Sequence, residues 1–213
     1  MASGNKLNNY IGVKYHIELD FPADTISLHN FSNGYCGIVK IEGNKYNLCY
    51  LTTAANLKRS NGRVKDMEQT ILQQNPHLKK IFNSSRSLFE APLTISQISF
   101  DPKKQVEDHV LMIGDAAGMI TPLCGNGMSM ALHGSQIAAV DIDNFLSSKC
   151  TRTEMEHTYS RQWKQQFARR LRMGRRIQRL FGSNRLTNLM ITLLRSFPAL
   201  LKVIIRKTHG KPF

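Results

Sequence analysis

The 213 residues hold 29 Lys and Arg against 15 Asp and Glu, a formal charge of +14. That length suits one sizeable domain or one and a half, and 41% hydrophobic with 21% charged residues excludes wholesale disorder. The charge is uneven: residues 1–150 carry 14 basic and 13 acidic side chains, residues 151–213 carry 15 basic and 2 acidic. Nearly all the basicity therefore belongs to the last third, and the two parts call for separate functional readings.

Along the chain, MASGNKLNNY has no apolar h-region and predicts no secretory signal. Tyr10–Asp20 and Thr25–Phe31 read as strands divided by a Pro22-Ala23-Asp24 turn. Tyr35–Ile41 and Tyr46–Thr52 form a hairpin around Gly43-Asn44. Pairing Glu42 with Lys45 sets Val39 opposite Leu48 on one face, with Cys36, Ile38, Cys49 and Leu51 on the other. Both faces are apolar, which predicts cover on both sides or a ligand pocket on one. Val64–Gln74 has helical spacing, and a Pro76-initiated helix runs to Phe82. Leu93–Phe100 is a strand, and His109–Gly114 is an apolar run of the kind found in buried parallel strands. Helices follow over about 128–146 and 153–181, with one or two short ones around Pro198.

Val110–Phe145 carries the chemistry. An apolar strand delivers Gly114-Asp115-Ala116-Ala117-Gly118; then come Pro122, Gly125-Asn126-Gly127 and a helix rich in small residues starting near Met128. A carboxylate at a strand end accepts hydrogen bonds from polyol hydroxyls. Glycines admit a ligand close to the backbone, and the helix start offers unpaired N–H groups to an anionic or strongly polar group.

This string resembles the second FAD-binding motif of the flavoprotein class containing aromatic hydroxylases, flavin-dependent halogenases and geranylgeranyl reductases. The resemblance implies that Asp115 binds the ribityl hydroxyls and that Gly114, Ala116, Ala117 and Gly118 form the turn. Pro122, Gly125, Asn126, Gly127 and Met128 then lie along the flavin and the helix start. It implies FAD as cofactor, NAD(P)H as electron donor and a small hydrophobic or aromatic substrate, with reduction of a C=C bond and activation of O2 both open. The implied fold is α+β, a partial α/β flavoprotein. A mixed substrate-domain sheet occupies 1–107, the FAD-motif strand, loop and helix 108–148, and basic helices 149–213. Asn33-Gly34-Tyr35 resembles the loop that brings aromatic residues to the substrate, making Tyr35 and Tyr50 candidate substrate contacts; cross-strand packing of aromatics is the competing reading. Gly118 stands where the hydroxylase branch carries His, and no WxWxIP-type halogenase segment occurs.

The class also begins with a GxGxxG βαβ unit that cradles the ADP half of FAD. No such string occurs in these residues, and family members run to roughly twice this length. The expectation is an N-terminally incomplete member that retains flavin poorly and is inactive by itself.

The remaining features are less specific. Four cysteines lack a CxxC pair and suit reduced thiols in a cytoplasmic protein. The histidines have no ligand spacing, so no metal site is expected, and no catalytic acid or base is evident. In the basic helix, Trp163, Phe167, Leu171, Gly174, Ile177 and Phe181 form one stripe. The arginines beside it suit either a docked helix with a solvated face or contact between residues 161–207 and an anionic membrane, peripheral at its inner face. Nucleic acid is the least favoured partner, because no RNP-like motif accompanies the arginines. A non-catalytic basic module descended from such an enzyme is the alternative to an oxidoreductase.

Overall fold

The computed structural model describes residues 9–180 and 184–209 and confirms an α+β architecture. The chain divides into two compact units, one of Met1–Ser99 with Leu180–Thr192, the other of Phe100–Arg179 with Leu193–Phe213.

The first unit is built on a six-stranded sheet. Strands β1 (Tyr10–Glu18), β2 (Ser27–Phe31), β3 (Gly34–Lys40), β4 (Lys45–Thr53), β5 (Arg86–Ser87) and β6 (Leu93–Ile98) run in the order β2-β3-β4-β1-β5, with β6 also on β1. Every pair among the described residues is antiparallel, where a mixed sheet was expected. Short hairpin connections join β2, β3 and β4, and such connections yield antiparallel neighbours.

The β3–β4 hairpin forms where the Gly-Asn signal places it, with a register one residue away from the expected one. Lys45 N–H donates to the Glu42 carbonyl, while the Lys45 carbonyl accepts from Ile41 N–H at 2.9 Å. Two residues thus face one, and the bulge re-registers the ladder so that Ile38 pairs with Leu48 and Cys36 with Tyr50. A one-residue slip exchanges the faces. Cys36, Ile38, Tyr46, Leu48 and Tyr50 share one face, all buried, and Tyr35, Gly37, Cys49 and Leu51 take the other. Cys49 is exposed on that second face.

Helices α1 (Ala54–Arg59), α2 (Val64–Thr70) and α3 (Pro76–Ser84) follow β4. The predicted helix over 64–74 divides into α2 and a 3-10 turn at Leu72–Gln74. Met67, Leu72, Leu78 and Ile81 join Ile11, Val13, Ile17, Ile38, Leu48 and Tyr50 in a single core. Asn75 caps α3 by accepting from the His77 N–H at 2.9 Å, with Pro76 at the first helical position.

One polar group enters this core. Glu68 on α2 is 6% exposed, and one of its oxygens accepts from the Tyr15 and Tyr50 hydroxyls at 2.8 Å each. Burial pushes the Glu68 carboxyl up; the two phenol hydrogen bonds and Lys65 pull it back only in part. The folded state therefore holds the proton more tightly than the unfolded chain, and stability falls as pH rises from the ordinary glutamate range through the raised value. Glu68→Gln keeps an acceptor without the charge. We expect it to raise the melting temperature at pH 7 and to match the wild type at about pH 3, below the ordinary range. A Gln variant less stable than wild type at pH 7 would show instead that the ionised carboxylate stabilises the fold.

In the second unit, β7 (Val106–Glu107) and β8 (Val110–Leu111) form a two-residue hairpin across Asp108-His109, both at positive φ. The run 109–114 is thus no buried parallel strand. Its only ladder partner among the described residues is β7, Val110 is 56% exposed and Ile113 38%. An apolar run records hydrophobicity and not the strand that must lie beside it. Helix α4 (Gly127–Leu146) and the 29-residue α5 (Arg152–Leu180) complete the core of this unit. Helices α6 (Asn184–Ser196) and α7 (Pro198–His209) end the described chain.

Candidate functional site

The segment Gly114–Met128 folds as two tight turns against two helices. Gly114–Ala116 is a 3-10 turn entered by Gly114 at φ +58°, a conformation that disfavours a side chain. The preceding loop clamps it. Lys103 Nζ donates to the Asp115 carbonyl at 2.8 Å, and Gln105 Nε2, 5% exposed as a residue, donates to the Ala117 carbonyl at 3.2 Å. Tyr159 of α5 donates to the carbonyl of Met112, and burial pushes its phenol up to about 12.

The Asp115 side chain is exposed and makes no hydrogen bond among the described residues. Pro122 opens a second 3-10 turn, which Gly125 ends in the left-handed conformation at φ +69°. Asn126 then precedes α4 without capping it through its side chain, so the first-turn N–H groups of α4 lack that partner. A crevice of about 10 Å³ between the first turn and the start of α4 is lined by Gly114, Asp115, Gly118, Gly127, Ala131 and Trp163. Asp115 and the start of α4, separated by a dozen residues in sequence, thus flank one crevice.

The glycines of the motif have different reasons to be glycine. A Cβ on Gly118 would lie 2.7 Å from Trp163 Cη2 and 3.1 Å from Leu171 Cδ1. Gly118 is therefore demanded by the docking of α5, whatever ligand the turn holds. Gly134 of α4 faces the same indole at 3.7 Å, and Gly174 of α5 lets Ile120 and Thr121 approach. Gly127 differs. It has an ordinary φ, and its Cβ would meet only Ile120 Cγ2 at 3.8 Å, so the protein's own packing leaves space there.

The two tyrosines are not brought together. Tyr50 is 1% exposed beneath α2, hydrogen-bonded to Glu68, whereas Tyr35 points to the opposite face of the sheet opposite Leu51. Neither lines a cavity of about 550 Å³ in the first unit, bordered by Asn30, Asn56, Arg59, Asn75 and His77. No residue of the Gly114–Met128 segment lines it either. Sequence reasoning missed Lys103 and Gln105, whose Lys-Lys-Gln context has no local pattern to mark it; only the folded turn shows which carbonyls they hold.

Comparison with known proteins bears on the fold. No protein-family model matches the chain. It is 26% identical over 145 residues to conditioned medium factor receptor 1 of Dictyostelium discoideum, covering 66% of this chain and 27% of that protein. It is 36% identical over 63 residues to digeranylgeranylglycerophospholipid reductase of Methanococcus vannielii, covering 30% and 16%. Among solved structures, the flavin-dependent brominase Bmp2 superposes with a TM-score of 0.71 at 18% identity over 95% of this chain and 50% of its own. A geranylgeranyl bacteriochlorophyll reductase-like protein from Thermoplasma acidophilum gives 0.72 at 17%, over 95% and 53%. Klebsiella pneumoniae HpxO, complexed with FAD and uric acid, gives 0.67 at 13%, over 95% and 53%. The fold is thus that of the flavoprotein class, and the chain spans about half the length of these structures.

The packing role of Gly118 is directly testable. Gly118→Ala should cost about 1–3 kcal/mol of stability in chemical denaturation, the range for forcing an added methyl into a packed core. Unchanged stability would show that the turn and α5 separate easily and that Gly118 is free to serve a ligand.

Proposed function

We propose that Gly114–Met128 is the flavin-side half of an FAD site in an oxidoreductase acting on a small hydrophobic or aromatic molecule, with NAD(P)H as electron donor. The observation that carries the reading is the α4 start. Its N–H groups lack a cap from the Asn126 side chain, it lies across a crevice from an exposed carboxylate, and it opens on a Gly127 that the fold does not require. This donor set fits FAD: a carboxylate for ribityl hydroxyls, and a bare helix terminus for the electron-rich edge of a flavin or its phosphates. Likeness to proteins named as a brominase, a geranylgeranyl reductase-like protein and an FAD complex supports the cofactor class.

In this reading Asp115 holds the ribityl chain, and Gly114, Ala116 and Ala117 keep the backbone turn that presents it. Pro122, Gly125 and Asn126 shape the approach to the helix, and Gly127 and Met128 bring the first N–H groups to the ring. The cofactor, when bound, supplies the redox chemistry; the protein's share is orientation and exclusion of water. Tyr35, on the sheet face away from α2, is the better of the two tyrosines for a substrate contact. Tyr50 acts in the core. The 213 residues contain no GxGxxG cradle for the adenosine phosphates, so affinity rests on the ribityl and flavin contacts.

Flavin fluorescence titration tests this. FAD and riboflavin should bind the chain with similar weak affinity, and Asp115→Ala should weaken both at least about tenfold, the loss of roughly one charge-assisted hydrogen bond. Gly127→Val should abolish binding while leaving the melting temperature near wild type. Unchanged affinity in Asp115→Ala would remove the assignment. Flavin-dependent oxidation of NADPH or NADH by the chain, absent in Gly127→Val, would extend it to the electron donor.

A further inference from the structure

We infer that the C-terminal part of the second unit forms a surface for the headgroup region of an anionic lipid bilayer, with the end of α6 from Leu193 and α7 lying in the interface and the arginines of α5 facing phosphate. The inference is independent of the flavin reading, since no residue of the Gly114–Met128 segment takes part.

The first observation is charge. No Asp or Glu follows Glu156, while 14 Lys and Arg do. The second is where α5 spends its two faces. Met155, Tyr159, Trp163, Phe167 and Leu171 are buried within the second unit, so this part of the stripe is used in docking; Ile177 is half-buried and Phe181 lies outside the described residues. Arg161, Lys164, Arg169, Arg172, Arg176 and Arg179 are exposed, and at 100° per residue they fall within an arc of about 140° opposite that stripe. They crowd one another: burial lowers Arg175, and the neighbouring Arg172 and Arg179 lower it further. A polyanion relieves this repulsion.

The third observation selects a membrane over a nucleic acid. From Leu193 onward the second unit exposes apolar side chains: Leu193 at 45%, Phe197 at 59%, Leu200 at 38% and Val203 at 43%. Phosphate recognition gives no use for a run of exposed aliphatic and aromatic groups, whereas the acyl boundary of a bilayer does. Arg195 and Lys202 are the cations interspersed among them, long enough to reach headgroups while their stems stay in the apolar layer. No single helix among the described residues is long and apolar enough to cross a membrane, and the chain bends by 106° at the break before Pro198. Two short helices meeting at that angle suit residence in the interface plane, because a 13-residue helix is about 20 Å long against a hydrocarbon core of about 30 Å.

The test is co-sedimentation of the 213-residue chain with vesicles of phosphatidylcholine alone and of phosphatidylcholine with about one third phosphatidylglycerol. Binding should require the anionic lipid and weaken about tenfold or more between low salt and about 0.5 M salt. Arg172→Glu with Arg176→Glu should weaken it about tenfold. Leu193→Ser with Phe197→Ser should do the same, although it leaves every charge in place. Both sites are exposed, so circular dichroism should show unaltered folding. The inference fails if the Leu193/Phe197 variant binds like wild type, which would leave only polyelectrolyte attraction. It also fails if an RNA homopolymer displaces the chain from vesicles at equal phosphate. Absence of vesicle binding, with light scattering showing a dimer that the Leu193/Phe197 variant dissolves, would assign the surface to a second copy instead.

Discussion

Trp163 against two glycines is the contact on which the second unit rests. Its indole occupies the space where Gly118 of the motif turn has no side chain, and it lies alongside Gly134 of α4, where a Cβ would make ordinary contact at 3.7 Å. That places the GDAAG turn, the helix behind the motif and the long basic helix around one large rigid ring. Phe167 meets the same ring edge to face, with centroids 5.3 Å apart. A loop is usually the mobile part of a binding site. Here the turn is held from behind by the indole and from below by Gln105, so the Asp115 carboxylate is presented by a supported backbone.

This arrangement separates scaffold from recognition within one short motif. Gly114 is set by its φ and Gly118 by Trp163, and both would be glycine in a protein that bound nothing. Asp115 and Gly127 have no such internal reason. Asp115 is a solvent-facing carboxylate, and Gly127 has room for a methyl group. Where the fold makes no demand, a ligand can, and the proposed flavin site rests on that difference.

The basic C-terminal region follows a parallel logic. The stripe of α5 was open to two readings, a docked helix or a membrane face; the structure shows it docked, and the membrane proposal rests on the side chains that follow it. The apolar side of α5 docks within the second unit, while Leu193, Phe197 and their neighbours on α6 and α7 stay exposed. The first unit has its own polar pivot. Glu68 ties α2 to two strands through Tyr15 and Tyr50, so the tyrosine that sequence offered as a substrate contact is occupied in the core.

Several elements were legible in the sequence by itself. The Gly43-Asn44 turn, the Pro76 helix start, the GDAAG–GNG segment and the stripe through Trp163 all rest on interactions between residues close along the chain. Local sterics and helical period determine these, and both are written in residue order. What needed tertiary structure were matters of which surface meets which. The bulge at Ile41-Glu42 shifted the β3–β4 register and exchanged the faces, because one extra residue inverts a period of two. The run 109–114 looked like a buried parallel strand, but hydrophobicity does not name a neighbour. Gly118 looked like a cofactor glycine, and only the approach of a tryptophan 45 positions later showed that packing alone requires it. Sequence determined the local shapes and the charge; long-range packing decided which side chains are structural and which remain free for a ligand.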